Sequence, residues 1–369
     1  METTIYLDHA ATTFPDERVI LSMAECMRHM PYNASAAYSA AGESRRIHRL
    51  CRKQIAAMLG CPAECLFFTS GGTESNNWVI RSFYGRHIAA SAIEHHSILN
   101  AARHHSVPVT LIQPDESGYI HPKAVEHALQ ADTKLVCLQA ANNETGVIQP
   151  IEEVYALVKA RGIHLHVDAV QAFGHIPLRA ECCDSMSISA HKLYGPRGIG
   201  ALYIRSGIHL SPLLYGGGQE NGLRAGTENT PAICGFQIAA ELAGQDMQVR
   251  AKREQLLLDA FAGRICQSIP GARRLGDNRK RLPGICALYL PHQSAERIIA
   301  ALDLQGIQIA GGAACASSSG KPSHVYTAMG LSDTEAACVI RISIGRHTTQ
   351  EDLRIAAQAI ENLTLQPAR

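Results

Sequence analysis

The sequence predicts an α/β fold: a mostly parallel sheet covered by helices, with a smaller α/β unit at the C-terminal end. Three observations predict it. Strand-like apolar runs alternate with helical patterns from about residue 15 to about residue 245. Several of those runs stop at polar residues or glycine turns, as at Asp168 and at His191-Lys192. A long helical pattern over residues 232–268 then leads into a second, shorter alternation.

In chain order, residues 44–59 carry apolar side chains at helical spacing and close at Gly60. Leu66–Thr69 reads as a strand, followed by a glycine turn and a helix opening at Thr73. Residues 107–112 suit a strand, and residues 122–129 a helix with proline in its first turn. A strand over residues 134–139 and a helix over 151–161, closed by Gly162, precede the strand that ends at Asp168. Ser185–Ser189 is its expected neighbour. Further on, a strand at Ile285–Tyr289 and a helix over residues 295–304 lead to a strand, an irregular loop, a helix, a strand and a last helix. The expected division is a large domain of residues 15–245 and a small domain of residues 1–14 with 246–369, carrying a mobile loop at about 311–324.

Composition excludes several classes of function. Hydrophobic residues at 46% and charged residues at 18% suit a soluble globular enzyme. A net charge of +1 removes the electrostatic case for binding nucleic acid or acidic membranes. No run approaches the roughly 20 apolar residues of a membrane span. The N-terminal METTIYLDHAATT has no basic segment before an apolar one, so no secretion signal is expected, and the expected location is the cytoplasm. The twelve cysteines form no CxxC pair, and most sit singly in apolar surroundings, as Cys137 does in KLVCLQA and Cys286 in GICALYL. They read as small buried hydrophobes, and no structural metal is expected.

The chemistry concentrates in IHLHVDAVQAFGHIPLRAECCDSMSISAHKLYGPRG, residues 163–198. An acidic strand end at Asp168 and a lysine at Lys192 after the next strand are what a pyridoxal phosphate site requires. The lysine bonds to the cofactor, and the carboxylate keeps the pyridine nitrogen protonated. Taken singly, Asp168 could instead pair with an arginine, and Lys192 could be an ordinary surface lysine. TSGGTESN, residues 69–76, places Gly72 and Thr73 at a strand–glycine–helix junction suited to a phosphate. A plain turn with an N-cap at Thr73 fits the same residues. Gln171 and Asn143 can reach the cofactor's phenolic oxygen from either side, and Ser189 and His191 flank the lysine as phosphate ligands. Strand C-terminal ends are where such sheets bind ligands, so three strands converge on one crevice. His95, read as ending a short strand in SAIEHHS, suits stacking on the ring and proton relay, or a structural role.

A second feature lies in AGGAACASSSG, residues 310–320. Cys315 sits among small, flexible residues, as a thiol that must travel would. A free surface cysteine is the competing reading. Arg341, in VIRISIG, falls inside an apolar strand, where it suits bidentate capture of an amino acid carboxylate or an internal salt bridge.

These motifs, together with YLDHAATT, EHHSIL, NNETGVIQPI, GGGQENGLRAGTENTP, GGAACASSSGKPSHV and IRISIGRHTTQEDL, run in order through nearly the whole chain. The sequence resembles the cysteine desulfurases of the NifS/IscS-like group, in the class V aminotransferase branch of fold-type I pyridoxal phosphate enzymes. The resemblance implies conversion of L-cysteine to L-alanine, with a persulfide left on Cys315 for a sulfur acceptor. It implies that Gly72, Thr73, Asn143, Asp168, Gln171, Ser189 and His191 hold the cofactor, with His95 on its ring and Lys192 bonded to it. Thr227, in RAGTENTP, would reach the phosphate in the partner subunit, so a homodimer is implied. Arg341 would bind the substrate carboxylate, helped by Asn33. The chain departs from the pattern at Asn33-Ala34-Ser35-Ala36-Ala37-Tyr38, where the group usually has two serines and a histidine after the asparagine and a small residue. It also stops soon after its last helix, so docking of an iron–sulfur scaffold is less firmly implied than desulfuration. A selenocysteine lyase or another β-eliminating lyase shares Asp168 and Lys192, as does a transaminase, but these have less use for Cys315. A non-catalytic persulfide carrier would need neither.

Overall fold

The structure, a computed structural model, describes residues 4–276, 280–312 and 322–365. The chain opens with a short strand, β1 (Ile5–Tyr6), and two helices, α1 (Glu17–His29) and α2 (Ser39–Leu59). The second starts five residues before the pattern in the sequence and ends where predicted, on Gly60 in the left-handed conformation (φ +67°). There follow β2 (Leu66–Thr69), α3 (Gly72–Ser82), β3 (His87–Ser91), α4 (His96–His104), β4 (Val109–Ile112), α5 (Pro122–Ala128), β5 (Thr133–Cys137), α6 (Ile151–Lys159), β6 (His164–Asp168), β7 (Ser185–Ser189) and β8 (Gly200–Ile204).

These strands form a seven-stranded sheet in the order β2-β8-β7-β6-β5-β3-β4. Only β8 runs antiparallel to its neighbours, so the sheet is mostly parallel, as the alternation of strands and helices predicts. Every residue of β2, β3, β6, β7 and β8 is buried, because helices cover both faces. One core lies against α1, α2 and α6. A second, around Trp78, Ile80, Ile88 and Leu135, lies on the side of α3 and α4.

The long helix α7 (Thr230–Ser268) leaves this sheet, as the pattern over residues 232–268 predicts. Phe236, Ala239 and Ala243 pack in the first core, whereas Leu258, Phe261 and Ile265 belong to another. The remaining elements are β9 (Arg273–Leu275), β10 (Ile285–Tyr289), α8 (Ala295–Asp303), β11 (Ile307–Gln308), α9 (His324–Ala328), α10 (Asp333–Ala336), β12 (Val339–Ser343) and α11 (Gln350–Leu365). That other core contains Leu7 and side chains of α8, β11, α11 and one face of β10 and β12, whereas Leu275, Ile285, Tyr326, Ala336 and Val339 pack in the first core. Strands β9, β10 and β12 make an antiparallel sheet, and β1 pairs in parallel with β11. The N-terminal strand thereby returns to the C-terminal part of the chain. Among the described residues, no helix is long and apolar enough to cross a membrane.

Candidate active site

Strands β5, β6 and β7 are neighbours, and the segments leaving their C-terminal ends bring Asn143, Asp168 and Lys192 to one cleft of about 240 Å³. The cleft is also lined by Gly72, Thr73, His95, Gln171, His191 and Arg341. Nine residues singled out from the sequence thus meet in one place. The convergence follows from topology: parallel strands present all their C-terminal ends on the same side of the sheet.

Asp168 is the last residue of β6 and is buried. Its Oδ1 accepts from the backbone N–H of Val170 at 3.0 Å, and its Oδ2 from Asn76 Nδ2 at 2.7 Å. No arginine pairs with it among the described residues. Lys192 closes a one-turn helix after β7, where Nζ donates to the carbonyl oxygens of Ala10 and, at 2.8 Å, Ala11. The YLDHAATT segment is therefore part of the site wall. His191 beside it is held down to about 4 by burial and by the Lys192 and Arg197 charges.

Gly71, not Thr73, is the N-cap residue of α3, with φ +149°. A Cβ built on Gly72 would overlap Cγ2 of Val170 in the segment that leaves β6, so glycine is needed there for space, whereas Gly71 is needed for its positive φ. Thr73 is exposed at the mouth of the cleft.

His95 does not end a strand. Three residues follow β3 before it, and it is the N-cap of α4, its Nδ1 accepting from Ser97 N–H at 3.1 Å. Burial lowers its pKa, while the Asp168 charge opposes that shift. Glu94 just before it is wholly buried. Burial first, then the nearby Asp168 charge, pushes its carboxyl well above the usual range.

Arg341 is 1% exposed in the middle of β12. Its Nη2 pairs with Asp8 Oδ1 at 2.6 Å and its Nη1 donates to the Asn143 carbonyl at 3.1 Å, while Nε has no hydrogen-bond partner among the described residues. The internal salt bridge is thus formed, and the guanidinium still lines the cleft.

Other expected site residues lie elsewhere. Ser189 is buried at the end of β7 and is not among the cleft-lining residues; its Oγ lies 3.8 Å from the position of a Cβ built on Gly71. Asn33 is exposed, with its side chain accepting from Ser35 N–H at 2.8 Å. Thr227 is exposed and away from this cleft. Cys315 lies outside the described residues, as does most of its loop. Sequence reasoning missed Ala10, Ala11, Asn76, Ser97 and Gln139. Asn76 alone left a signal, as a polar residue on the buried face of a helical pattern.

A mostly parallel sheet with a lysine and a carboxylate at neighbouring strand ends defines the class of α/β enzymes that hold pyridoxal phosphate. The sequence profile of the aminotransferase class-V family matches residues 5–355, and the chain belongs to that family. It is 38% identical to the "Cysteine desulfurase IscS" of Dictyoglomus turgidum over 374 residues, covering 98% of this chain and 95% of that protein. A solved "NIFS-LIKE PROTEIN" superposes with a TM-score of 0.91 at 33% identity, covering 98% of this chain and 99% of the other. "SspA in complex with cysteine" gives a TM-score of 0.83 at 32% identity, covering 94% of this chain and 100% of the other.

Proposed function

We propose that this chain is a pyridoxal phosphate-dependent cysteine desulfurase, converting L-cysteine to L-alanine and leaving a persulfide on Cys315 for acceptor proteins. The observation that carries the reading is the meeting of Asp168 and Lys192 in one cleft, in a chain so similar along its length to cysteine desulfurases. The cleft suits the cofactor in three respects. Asp168 offers a buried carboxylate to a protonated ring nitrogen. Gln171 Oε1 is buried with no hydrogen-bond partner among the described residues, and a ligand in the cleft would supply one. Gly71 and Gly72 leave the start of α3 bare of side chains, as close approach of a phosphate requires.

When bound, the cofactor supplies an electron sink for the bonds at the substrate Cα. Lys192 would hold it covalently and, once substrate has taken that place, would carry a proton to or from the substrate Cα. Gln171 and Asn143 bond its phenolic oxygen. Gly72, Thr73, Ser189 and His191 hold the phosphate, with Thr227 of one protomer completing the partner's site in a homodimer. His95 covers the ring. Arg341 receives the substrate carboxylate through the donors that Asp8 and Asn143 leave available, with Asn33 assisting. The Cys315 thiolate would take the substrate sulfur: an S–S bond forms as the C–S bond breaks, the C–S electron pair stays with Cβ, Cβ takes up a proton, and alanine leaves. The bound cysteine of one structural relative supports that substrate. Iron–sulfur cluster assembly and tRNA thiolation are the expected destinations of the sulfur. The reducing cytoplasm suits a chain whose described cysteines are all free thiols. Residues 15–245 form the large domain and residues 1–14 with 246–369 the small one.

The purified protein should be yellow and should release alanine and sulfide from L-cysteine in the presence of a thiol reductant. Cys315→Ser should abolish protein-bound persulfide while the colour stays, and Lys192→Ala should bind cofactor without turnover. Undiminished sulfide release by the Cys315→Ser protein would refute the mechanism.

A further inference from the structure

From Asp168, Asn76 and Ser97 in the wall of the cleft, a group of buried polar side chains runs back between the sheet and α3, and the chemistry of its members fixes the direction of each hydrogen bond. As a carboxylate, Asp168 offers only acceptors, so Asn76 must turn its amide nitrogen toward it. The two Asn76 N–H groups then go to Asp168 Oδ2 at 2.7 Å and to Ser97 Oγ at 2.8 Å. That leaves Asn76 Oδ1 to accept from His166 Nε2 at 3.0 Å, so His166 carries its proton on Nε2. Ser187 Oγ, 3.4 Å from the same nitrogen, is a weaker second partner. His166 Nδ1 must then accept from Ser185 Oγ at 2.9 Å, and that oxygen accepts from His164 Nε2 at 2.7 Å. Each proton has one place. Burial supports the assignment, holding His164 at about 4 and His166 at about 3, so both rings are neutral and carry a single N–H.

The chain branches at Ser97. Its Oγ, having accepted from Asn76, donates to His95 Nδ1 at 2.8 Å, where the Ser97 backbone N–H donates as well. With Nδ1 occupied as an acceptor, the proton of a neutral His95 ring sits on Nε2, the nitrogen left for the cleft.

We propose that Asn76 is a positioning residue that sets two cleft groups at once: it donates to Asp168 and, by directing the Ser97 hydroxyl proton to His95 Nδ1, reinforces the tautomer that the Ser97 backbone N–H already favours and that presents a donor to the cleft. Its own amide orientation is held from the far side by His166 and Ser185. The proposal rests on the desulfurase reading for what the cleft binds, and on hydrogen bonding alone for the tautomer. A neutral His95 of this kind offers the cleft a hydrogen-bond donor at Nε2. It does not begin as the base that removes a thiol proton.

The test uses holoenzyme labelled with ¹⁵N-histidine, with long-range ¹H–¹⁵N spectra and His95→Gln to assign the resonance. Wild-type His95 is expected with its proton on Nε2 at neutral pH. Among the described residues, the titratable and charged groups that act on it are Asp168, Lys192, His96 and His324. Ser97→Ala removes one donor to the Nδ1 lone pair, so the titration of His95 should move up in pH while cofactor retention on dialysis stays within twofold. Asn76→Ala should move the same titration and also release cofactor at least fivefold faster. Should Asn76→Ala fail to fold, Ser97→Ala decides. A wild-type His95 protonated on Nδ1, or an unmoved titration in Ser97→Ala, would overturn the proposal. A protein that binds no pyridoxal phosphate would sink the desulfurase reading instead, since the ¹⁵N spectra still report the tautomer.

Discussion

At position 72 a single methyl group has no room, because Val170, two residues beyond Asp168, occupies the space a Cβ would need. Gly72→Ala is therefore expected to lower stability by about 1–3 kcal/mol, the usual cost of overpacking a tight contact. It should weaken cofactor retention as well, and Val170→Ala should restore both; thermal unfolding and cofactor absorbance after dialysis check this. Residue-scale features divide by how local their signal is. Asp168, Lys192 and Gly72 are legible in the sequence because each sits at a junction between a strand and the next element, where a polar or glycine residue interrupts an apolar pattern. Asn76 is not legible in that way. Its role depends on β6 lying behind α3, a contact between residues 92 apart in the chain. The Arg341–Asp8 pair, spanning 333 residues, was visible from sequence only as the need for some partner.

At the scale of elements, α7 makes the clearest statement. Its first half packs beside α1 and α2, and its second half lies in the core that holds Leu7 and the C-terminal strands. Phe261, 4% exposed in that second half, is expected to cost about 3–5 kcal/mol when cut to alanine. Hydrogen exchange should then show protection falling over residues 258–265 and 353–360, which lie in that core, ahead of residues 66–204, which pack in the other cores. A uniform loss would count against the two-domain division. Helix ends were readable where a terminator of fixed conformation stands, as at Gly60, and strands Leu66–Thr69, Ser185–Ser189 and Ile285–Tyr289 fall where the pattern puts them. The early start of α2 and the placing of His95 as a cap rather than a strand end were not, since neither segment has a periodicity that decides between alternatives.

For the whole molecule, the buried histidines set the response to acid. Burial holds His164 and His191 at about 4 and His166 and His175 at about 3, against about 6.5 in an unfolded chain. Each binds a proton in the unfolded state that it refuses in the fold. Their contribution is fully present above about pH 6.5 and is lost as pH falls toward 4, at up to about 1.4 kcal/mol per pH unit for each proton. Glu254, raised to about 7, and Glu94, raised by burial, act in the opposite sense over part of that range. The histidines outnumber them, so the unfolding midpoint should drop between pH 6.5 and 5, as denaturant titrations at several pH values would measure. The sequence by itself determined that this is a mostly parallel α/β enzyme, that it is similar to cysteine desulfurases, and which local motifs carry the chemistry. Those properties are written in short-range patterns of apolar period, glycine and charge. Only the tertiary structure decided that nine of the chosen residues share a cleft, that Ala10 and Ala11 accept from Lys192, and that one buried asparagine joins Asp168 to His95. Such contacts are made between strand ends and helix faces far apart in the chain, and no local pattern encodes them.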